Sequence, residues 1–362
     1  MIAFVVNKKQ YNFFNNLKNK TKQNIKIIES SKIFSFNLTS LKHLKKVNFS
    51  NPIELRIKDY YAKYNFPLPK LFLKIFYKIN AIFCFIRYFS VINEKDTKLL
   101  IWNGFMFRQA IALEIAKIHN IKPIFFETGF LPNRFVIDKK GVNFYNSVPR
   151  NKEFFLNYHN DKPLPTDLIP RQPRNAKKFN NLKKETLPQK YIFIPFQVDY
   201  DTQILLFSPW IKSMEELFLL MKEIAEKLEI NIVFKEHPSS KKEYPKLHKI
   251  ANNSKYIQFA NAYPTQELIQ KANTIITINS SVGIESLLFN KKVITLGEAF
   301  FNIEDIVKHA NNKNELIHIL ENLEDWDINK NLIQNFLKYL YWDYLIDKNL
   351  DKKSVEKIKE IL

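Results

Sequence analysis

Apolar and polar positions along this chain follow two successive rounds of the same rhythm. Residues 2–6, Ile-Ala-Phe-Val-Val, read as a buried strand, and residues 9–20 place apolar side chains at helical spacing. Residues 25–29 and 33–37 read as short strands. Residues 99–102 form another, closed by Asn103 and Gly104. Helical periodicity returns over 107–119, with Ala and Ile on one face, and a strand follows over 123–126. Strand, turn, helix and strand in succession form the signature of a parallel sheet with crossover helices.

Residues 151–189 interrupt this rhythm. Pro163, Pro165, Pro170, Pro173 and Pro188 punctuate a polar, basic stretch with no surviving period, which predicts a linker over 161–189. The alternation then resumes more clearly. Strands are expected at 191–195, 231–235, 256–259, 274–278 and 292–296, helices at 213–228, 265–271 and 281–289, and a helical C-terminal stretch over 312–362. The expected architecture is α/β, with two Rossmann-like domains facing a cleft. These are residues 1–160 and 190–330, with C-terminal helices over 331–362. Topology of this kind serves several classes of two-domain enzyme and does not choose among them.

Composition sharpens the picture in three ways. At 362 residues and 46% hydrophobic, the chain is long enough for two cores and too apolar for disorder. The formal charge of +20 suits anionic partners, although a composition heavy in Lys, Asn, Ile and Phe yields the same excess without selection for it. Its single cysteine, Cys84, excludes internal disulfides and Cys-rich metal sites and fits a reducing, cytoplasmic setting. The first residues lack the basic n-region of a signal peptide. Residues 71–92 are rich in Phe, Ile and Tyr but carry Lys74, Lys78 and Arg87, which disfavours a membrane span. They fit an amphipathic helix lying in a membrane interface and a core helix with a basic edge equally well.

Candidate chemistry gathers where strands end. Only five glycines occur, at 104, 129, 141, 283 and 297, so each is expected to mark a forced backbone or a close approach. The stretch from Thr274 to Glu285 runs from an apolar strand through Asn279, Ser280 and Ser281 into a helix. Free N–H groups there can bind a phosphate, and Glu285 falls one turn on, within reach of a ribose hydroxyl. Simple helix capping by Ser281 explains the same residues. Lys235, Glu236 and His237 end another strand. Alternation would turn Lys235 and His237 to one side, toward a phosphate or simply toward solvent.

Asp199 and Asp201 bracket Tyr200 after the first strand of the second half. The Asp-x-Asp pattern is a weak sign of a divalent metal site, and Asp325 and Asp327 repeat it. A carboxylate there also suits a nucleophile or base. Glu127, before Gly129 at the end of a first-half strand, is its natural counterpart, since two carboxylates flanking an anomeric carbon run glycosyl chemistry. The motifs of P-loop NTPases, dinucleotide dehydrogenases, zinc proteases and α/β-hydrolases are missing. So is any recognisable nucleic-acid module, which leaves a basic membrane- or nucleic-acid-binding protein as the non-enzymatic alternative.

Taken in order, several short stretches resemble the bacterial capsule polysaccharide biosynthesis family, whose members include β-Kdo glycosyltransferases. They are Trp102 to Gly104, Phe125 to Pro132, Gly141 to Asn143 with Asn146, Ser147, Pro149 and Arg150, Gln197 with Asp201, Lys235 to Pro238, and Asn279 to Glu285. The resemblance implies a GT-B-like glycosyltransferase that transfers Kdo, with retention, from CMP-β-Kdo to a lyso-phosphatidylglycerol acceptor. Asp201 matches the nucleophile and Glu127 the second catalytic carboxylate. Gln197, Lys235, His237, Ser280, Ser281 and Glu285 match donor contacts, and Asn103, Gly104, Gly129 and Asn143 surround the other strand ends. The donor is a co-substrate, no cofactor or metal is called for, and nucleic acid is not an expected partner. The implied setting is the cytoplasmic face of the inner membrane, among other capsule synthesis and export proteins. Another nucleotide sugar, such as CMP-sialic acid or a UDP-sugar, remains the alternative donor.

Overall fold

The computed structural model describes every residue except 65, 169–178, 180 and 181. Part of the expected linker, including Pro170 and Pro173, therefore lies outside the described residues. The chain divides into two compact units. The first comprises Met1–Gly129, Asn133–Ser147 and Leu345–Leu362; the second comprises Phe130–Pro132 and Val148–Tyr344.

The first unit carries β1 (Ile2–Val5), α1 (Lys8–Thr21), β2 (Lys26–Glu29), α2 (Ser50–Lys63), α3 (Lys70–Phe89), β3 (Lys98–Trp102), α4 (Phe107–Ile118), β4 (Lys122–Thr128) and β5 (Arg134–Asp138). At the C-terminus the chain returns to this unit with β12 (Ile346–Asp347) and α13 (Lys352–Ile361). The sheet order is β2-β1-β3-β4-β5-β12, with β5 antiparallel to both neighbours. Strand alternation sorts β1 onto two cores. Ala3 and Val5 pack with Phe14 and Leu17 of α1 and Ile358 of α13, while Ile2 and Phe4 pack with Phe85 and Tyr88 of α3 and Ile115 of α4. Asn7 starts α1 by accepting from the Gln10 amide, and Lys22 in the left-handed region ends it.

Residues 33–37, expected as a strand, pair with no sheet. The chain leaves β2 through a 3₁₀ turn at Ser30–Lys32. The Ile33 carbonyl then accepts from Arg87 and the Asn37 amide donates to Ile86, so this segment runs along the end of α3.

The second unit contains α5 (Lys152–Leu156), β6 (Ile192–Pro195), α6 (Thr202–Phe207), α7 (Met214–Leu228), β7 (Ile232–Lys235), α8 (Pro245–Asn252), β8 (Ile257–Phe259), α9 (Thr265–Lys271), β9 (Thr274–Thr277), α10 (Ser281–Leu287), β10 (Lys292–Thr295), β11 (Lys308–His309), α11 (Lys313–Glu321) and α12 (Lys330–Lys338). The short α5, inside the stretch read as structureless, packs Phe155 on Phe336 of α12. Its sheet is parallel throughout, in the order β8-β7-β6-β9-β10-β11. β6, β7 and β9 are buried along their whole length, as expected for strands covered on both faces. The strand order reverses between β6 and β9, and ligands in open α/β sheets bind outside the carboxyl ends at that point.

The C-terminal stretch is not uniformly helical. After α12 and a π-helical turn at Tyr339–Tyr344, β12 pairs antiparallel with β5. Arg134 of β5 holds Asp347 of β12 at 2.6 Å, with the Arg134 side chain 8% exposed. Replacing Asp347 with Ala leaves that guanidinium short of a carboxylate. The expected cost is about 2–4 kcal/mol, read from urea unfolding, and Asp347→Asn should recover part of it.

Candidate functional site

The β6–β9 switch point is closed by a pair of buried amides. Gln197, just past β6, donates through Nε2 to Asn279 Oδ1 at 3.0 Å, while its Oε1 accepts from the Asn279 backbone N–H at 3.2 Å and from Thr277 Oγ1 at 3.3 Å. Asn279 Nδ2 donates in turn to the Gln203 carbonyl at 3.0 Å and the Phe207 carbonyl at 3.1 Å, which ties α6 to the end of β9. Asn279 is 1% exposed, so its bonds face no competition from water.

Around this clamp stand the expected donor-side residues. Asp201 caps α6, accepting from the Gln203 amide at 2.9 Å, and the residue stays open to solvent. Asp199 is a different kind of residue. It is buried, accepts from the Met214 amide at 2.7 Å and from the Tyr244 hydroxyl at 2.8 Å, and lies 3.5 Å from Lys242. The two halves of the Asp-x-Asp pattern thus serve separate partners, Asp199 anchoring α7 and Asp201 opening to solvent.

Ser280, not Ser281, is the N-cap of α10, its hydroxyl accepting from the Val282 amide at 3.2 Å. Ser281 is half-buried, and Glu285 is buried within the helix. Beyond β7, His237 lies past the strand end, so alternation along a strand does not align it with Lys235. Its Nδ1 accepts from the Ser239 amide at 3.1 Å. Lys235 is buried, donates to the Asn261 carbonyl at 2.8 Å and sits 5.3 Å from the Phe179 ring centre. Burial lowers its pKa to about 8, opposed by Glu236. Glu236 meets His248 at 2.6 Å and accepts from Asn261 at 3.2 Å. Asn261, at the end of β8, bonds both Lys235 and Glu236. No local motif marks it in the sequence, because only sheet register brings it there.

In the first unit, Glu127 near the end of β4 is half-buried and held by three donors. These are Trp102 Nε1 at 3.1 Å, Asn103 Nδ2 at 2.8 Å and the Thr128 amide at 2.8 Å. Asn103 and Gly104 both lie in the left-handed region, at φ +63° and +92°. A Cβ on Gly104 would come within 2.9 Å of Phe125, so this turn beside Glu127 needs glycine on two counts. Gly129 closes the β4–β5 hairpin by bonding the Arg134 carbonyl at 2.9 Å. The buried Asn143, also at positive φ, lies in a loop gathered by Asp138. That carboxylate accepts from Lys140 N at 2.7 Å, Gly141 N at 3.3 Å and both the amide and hydroxyl of Ser147 at 2.7 Å. The motif at Gly141–Asn143 marks this loop, whereas Asp138, which shapes it, carries no motif of its own.

Two measurements probe this arrangement. Asn279→Ala removes acceptor and donor together from a dry site and should cost about 2–3 kcal/mol in chemical denaturation. For Lys235, the unfolded chain stays protonated up to its ordinary pKa of about 10.4, whereas the native protein releases the proton near 8. Stability should therefore rise with pH between those values. Relative to Lys235→Met, wild type should gain about 3 kcal/mol across that window, and an unchanged difference would refute the buried-lysine assignment.

The comparisons with known proteins bear on these same segments. The family described as capsule polysaccharide biosynthesis protein matches residues 98–173 and 169–346, which hold every candidate residue named above. Protein FixF of Sinorhizobium fredii (strain NBRC 101917 / NGR234) is 36% identical over 253 residues, covering 69% of this chain and 60% of FixF. The capsule polysaccharide export protein KpsS of Escherichia coli is 25% identical over 251 residues, covering 53% of this chain and 64% of KpsS. The chain thus spans about three-fifths of the length of these curated relatives. Among solved structures, the β-Kdo 2,7 transferase of Thermosulfurimonas dismutans KpsC superposes with a TM-score of 0.50 at 15% identity, over 99% of this chain and 97% of that one. This shared GT-B-like fold agrees with the two Rossmann-like sheets, and with the family match over more than half of its length, the chain belongs to the capsule polysaccharide biosynthesis protein family.

Proposed function

We propose that the protein is a retaining glycosyltransferase that moves β-Kdo from CMP-β-Kdo to a lyso-phosphatidylglycerol or phosphatidylglycerol acceptor, at the cytoplasmic face of the inner membrane. The observation that carries this reading is Asp201, a solvent-open carboxylate at the β6–β9 switch point, held by two hydrogen bonds and set beside the Gln197–Asn279 clamp. The sugar is taken from the likeness to the KpsC β-Kdo 2,7 transferase.

In this reading the Asp201 carboxylate attacks the anomeric carbon of Kdo. The bond to the CMP phosphate oxygen breaks, and CMP leaves with the electron pair. An acceptor hydroxyl, its proton taken by a general base, then attacks the same carbon and displaces Asp201; the resemblance gives Glu127 the role of that base. Two inversions give net retention. Only the ionised carboxylate can attack, so transfer should fall as acidification protonates Asp201. Lys235, His237, Ser280 and Ser281 bind the CMP phosphate or the Kdo carboxylate, with Lys235 trading its desolvation for an anionic partner. Glu285 takes the ribose. Asn103, Gly104, Gly129 and Asn143 border the acceptor side. A departing CMP is already a good leaving group, so the reaction needs no metal.

Incubation with CMP-Kdo and lyso-phosphatidylglycerol, followed by mass spectrometry, tests the assignment. Wild type should release CMP and form a Kdo-glycolipid. Asp201→Ala should lower turnover by about a thousandfold or more while still binding CMP. Near-normal turnover in that variant removes Asp201 from the chemistry, and folded wild type inert toward CMP-Kdo but active with another nucleotide sugar replaces the donor.

A further inference from the structure

The first unit carries an apolar surface that its own fold leaves uncovered. α3 is apolar nearly all round. One face, with Leu73, Tyr77, Ala81, Phe85 and Tyr88, is buried. The opposite face repeats at helical spacing as Leu71, Phe72, Ile75, Phe76, Ile79 and Phe83, and all six are exposed, Leu71 at 71% and Ile79 at 65%. At 20 residues this face runs about 30 Å. It does not stop at the helix. Phe36 meets Phe83 at a ring distance of 5.6 Å, and Phe34, 80% exposed, and Leu38 continue the surface along the chain that follows β2. Contiguous exposed apolar area on this scale marks an interaction surface.

The charge around it selects the partner. Residues 31–92 hold eleven Lys and Arg against two Asp and Glu. Asp59 is buried and paired with Arg56 and Lys63, and Glu54 lies between Lys70 and Lys74. Lys42, Lys45, Lys46 and Lys78 are exposed at the borders. Among the described residues no helix is long and apolar enough to cross a membrane. An apolar aromatic face rimmed by lysines is the pattern of a helix that lies in the headgroup region with its cations on anionic lipid.

We infer that α3, with residues 34–46, is a docking surface for an anionic lipid bilayer. The inference extends the lipid-acceptor reading, and its test needs no sugar donor. Full-length protein should co-float with vesicles containing about 30% phosphatidylglycerol and not with pure phosphatidylcholine, and added salt should weaken binding. Phe72→Ser/Phe76→Ser/Ile79→Ser should lose about tenfold or more of that binding with an unchanged melting temperature, since all three side chains are exposed. Lys42→Glu/Lys74→Glu/Lys78→Glu gives an independent arm and should lose binding at low salt. Leu219→Ser, an exposed apolar position in the second unit, should change nothing. Equal binding by the apolar triple variant overturns the inference, as does absence of binding to anionic vesicles. So does a dimer in solution that the triple variant dissociates while vesicles remain unbound, which would assign the face to a second copy of the chain.

Discussion

The second unit depends on a reversal of strand order, and that reversal on two side-chain amides. Parallel neighbours β6 and β9 splay the segments after them to opposite sides, leaving a gap with backbone groups that no ladder can satisfy. Gln197 and Asn279 fill it with donors and acceptors matched on both sides, and Asn279 carries the network on to the ends of α6. Because both residues are buried, each bond is made in a low-dielectric setting where a missing partner would be costly. The clamp thus fixes where α6 begins, and Asp201 is the residue that begins it. A residue on such a joint is held more closely than one on a free loop, which suits the role proposed for Asp201.

Charge in this unit is arranged around the same edge. Asp199 sits two residues before Asp201 and does the opposite work, satisfying a helix N-terminus and a tyrosine hydroxyl inside the core. Burial raises the Tyr244 hydroxyl well above its ordinary value, with the Asp199 charge as the second cause, so the tyrosine stays a neutral donor. Burial loosens the proton of Lys235, which among the described residues meets the Asn261 carbonyl and the Phe179 ring. A buried cation in such surroundings is unfavourable in the free protein, and under the proposed function a bound anion would relieve that cost.

The sequence made the two sheets and most strand ends legible because buried parallel strands are short apolar runs between polar breaks. Asp201, Glu127, Lys235 and the Asn279 stretch all stood at such breaks. What escaped depends on distance along the chain. Asn261 reaches Lys235 through register alone, and Asp138 acts through a loop nine residues long. β5 was overlooked and residues 33–37 were misread as a strand, since a short apolar segment looks alike whether it pairs with a sheet or lies along a helix. The last eighteen residues read as helix, but two of them form a strand whose partner is two hundred residues away. His237 shows the complementary error. Alternation along a strand predicts direction only while the strand lasts, and β7 ends at Lys235.

Residues 71–92 fit a core helix and an interfacial one, and α3 packs one face as a core helix while its other face stays exposed. Leu73, Tyr77, Ala81 and Phe85 secure it to the sheet, while Phe72, Phe76, Ile79 and Phe83 face outward. A helix that only had to pack would carry polar residues on its outer face, as α7 does with Glu215, Glu216, Lys222 and Glu226. That α3 keeps aromatic residues there, with lysines spaced between them, is the pattern on which the inferred bilayer docking rests. The anchoring of its inner face lets that outer face be presented without unfolding, on the same unit whose β4 carries Glu127 near its end.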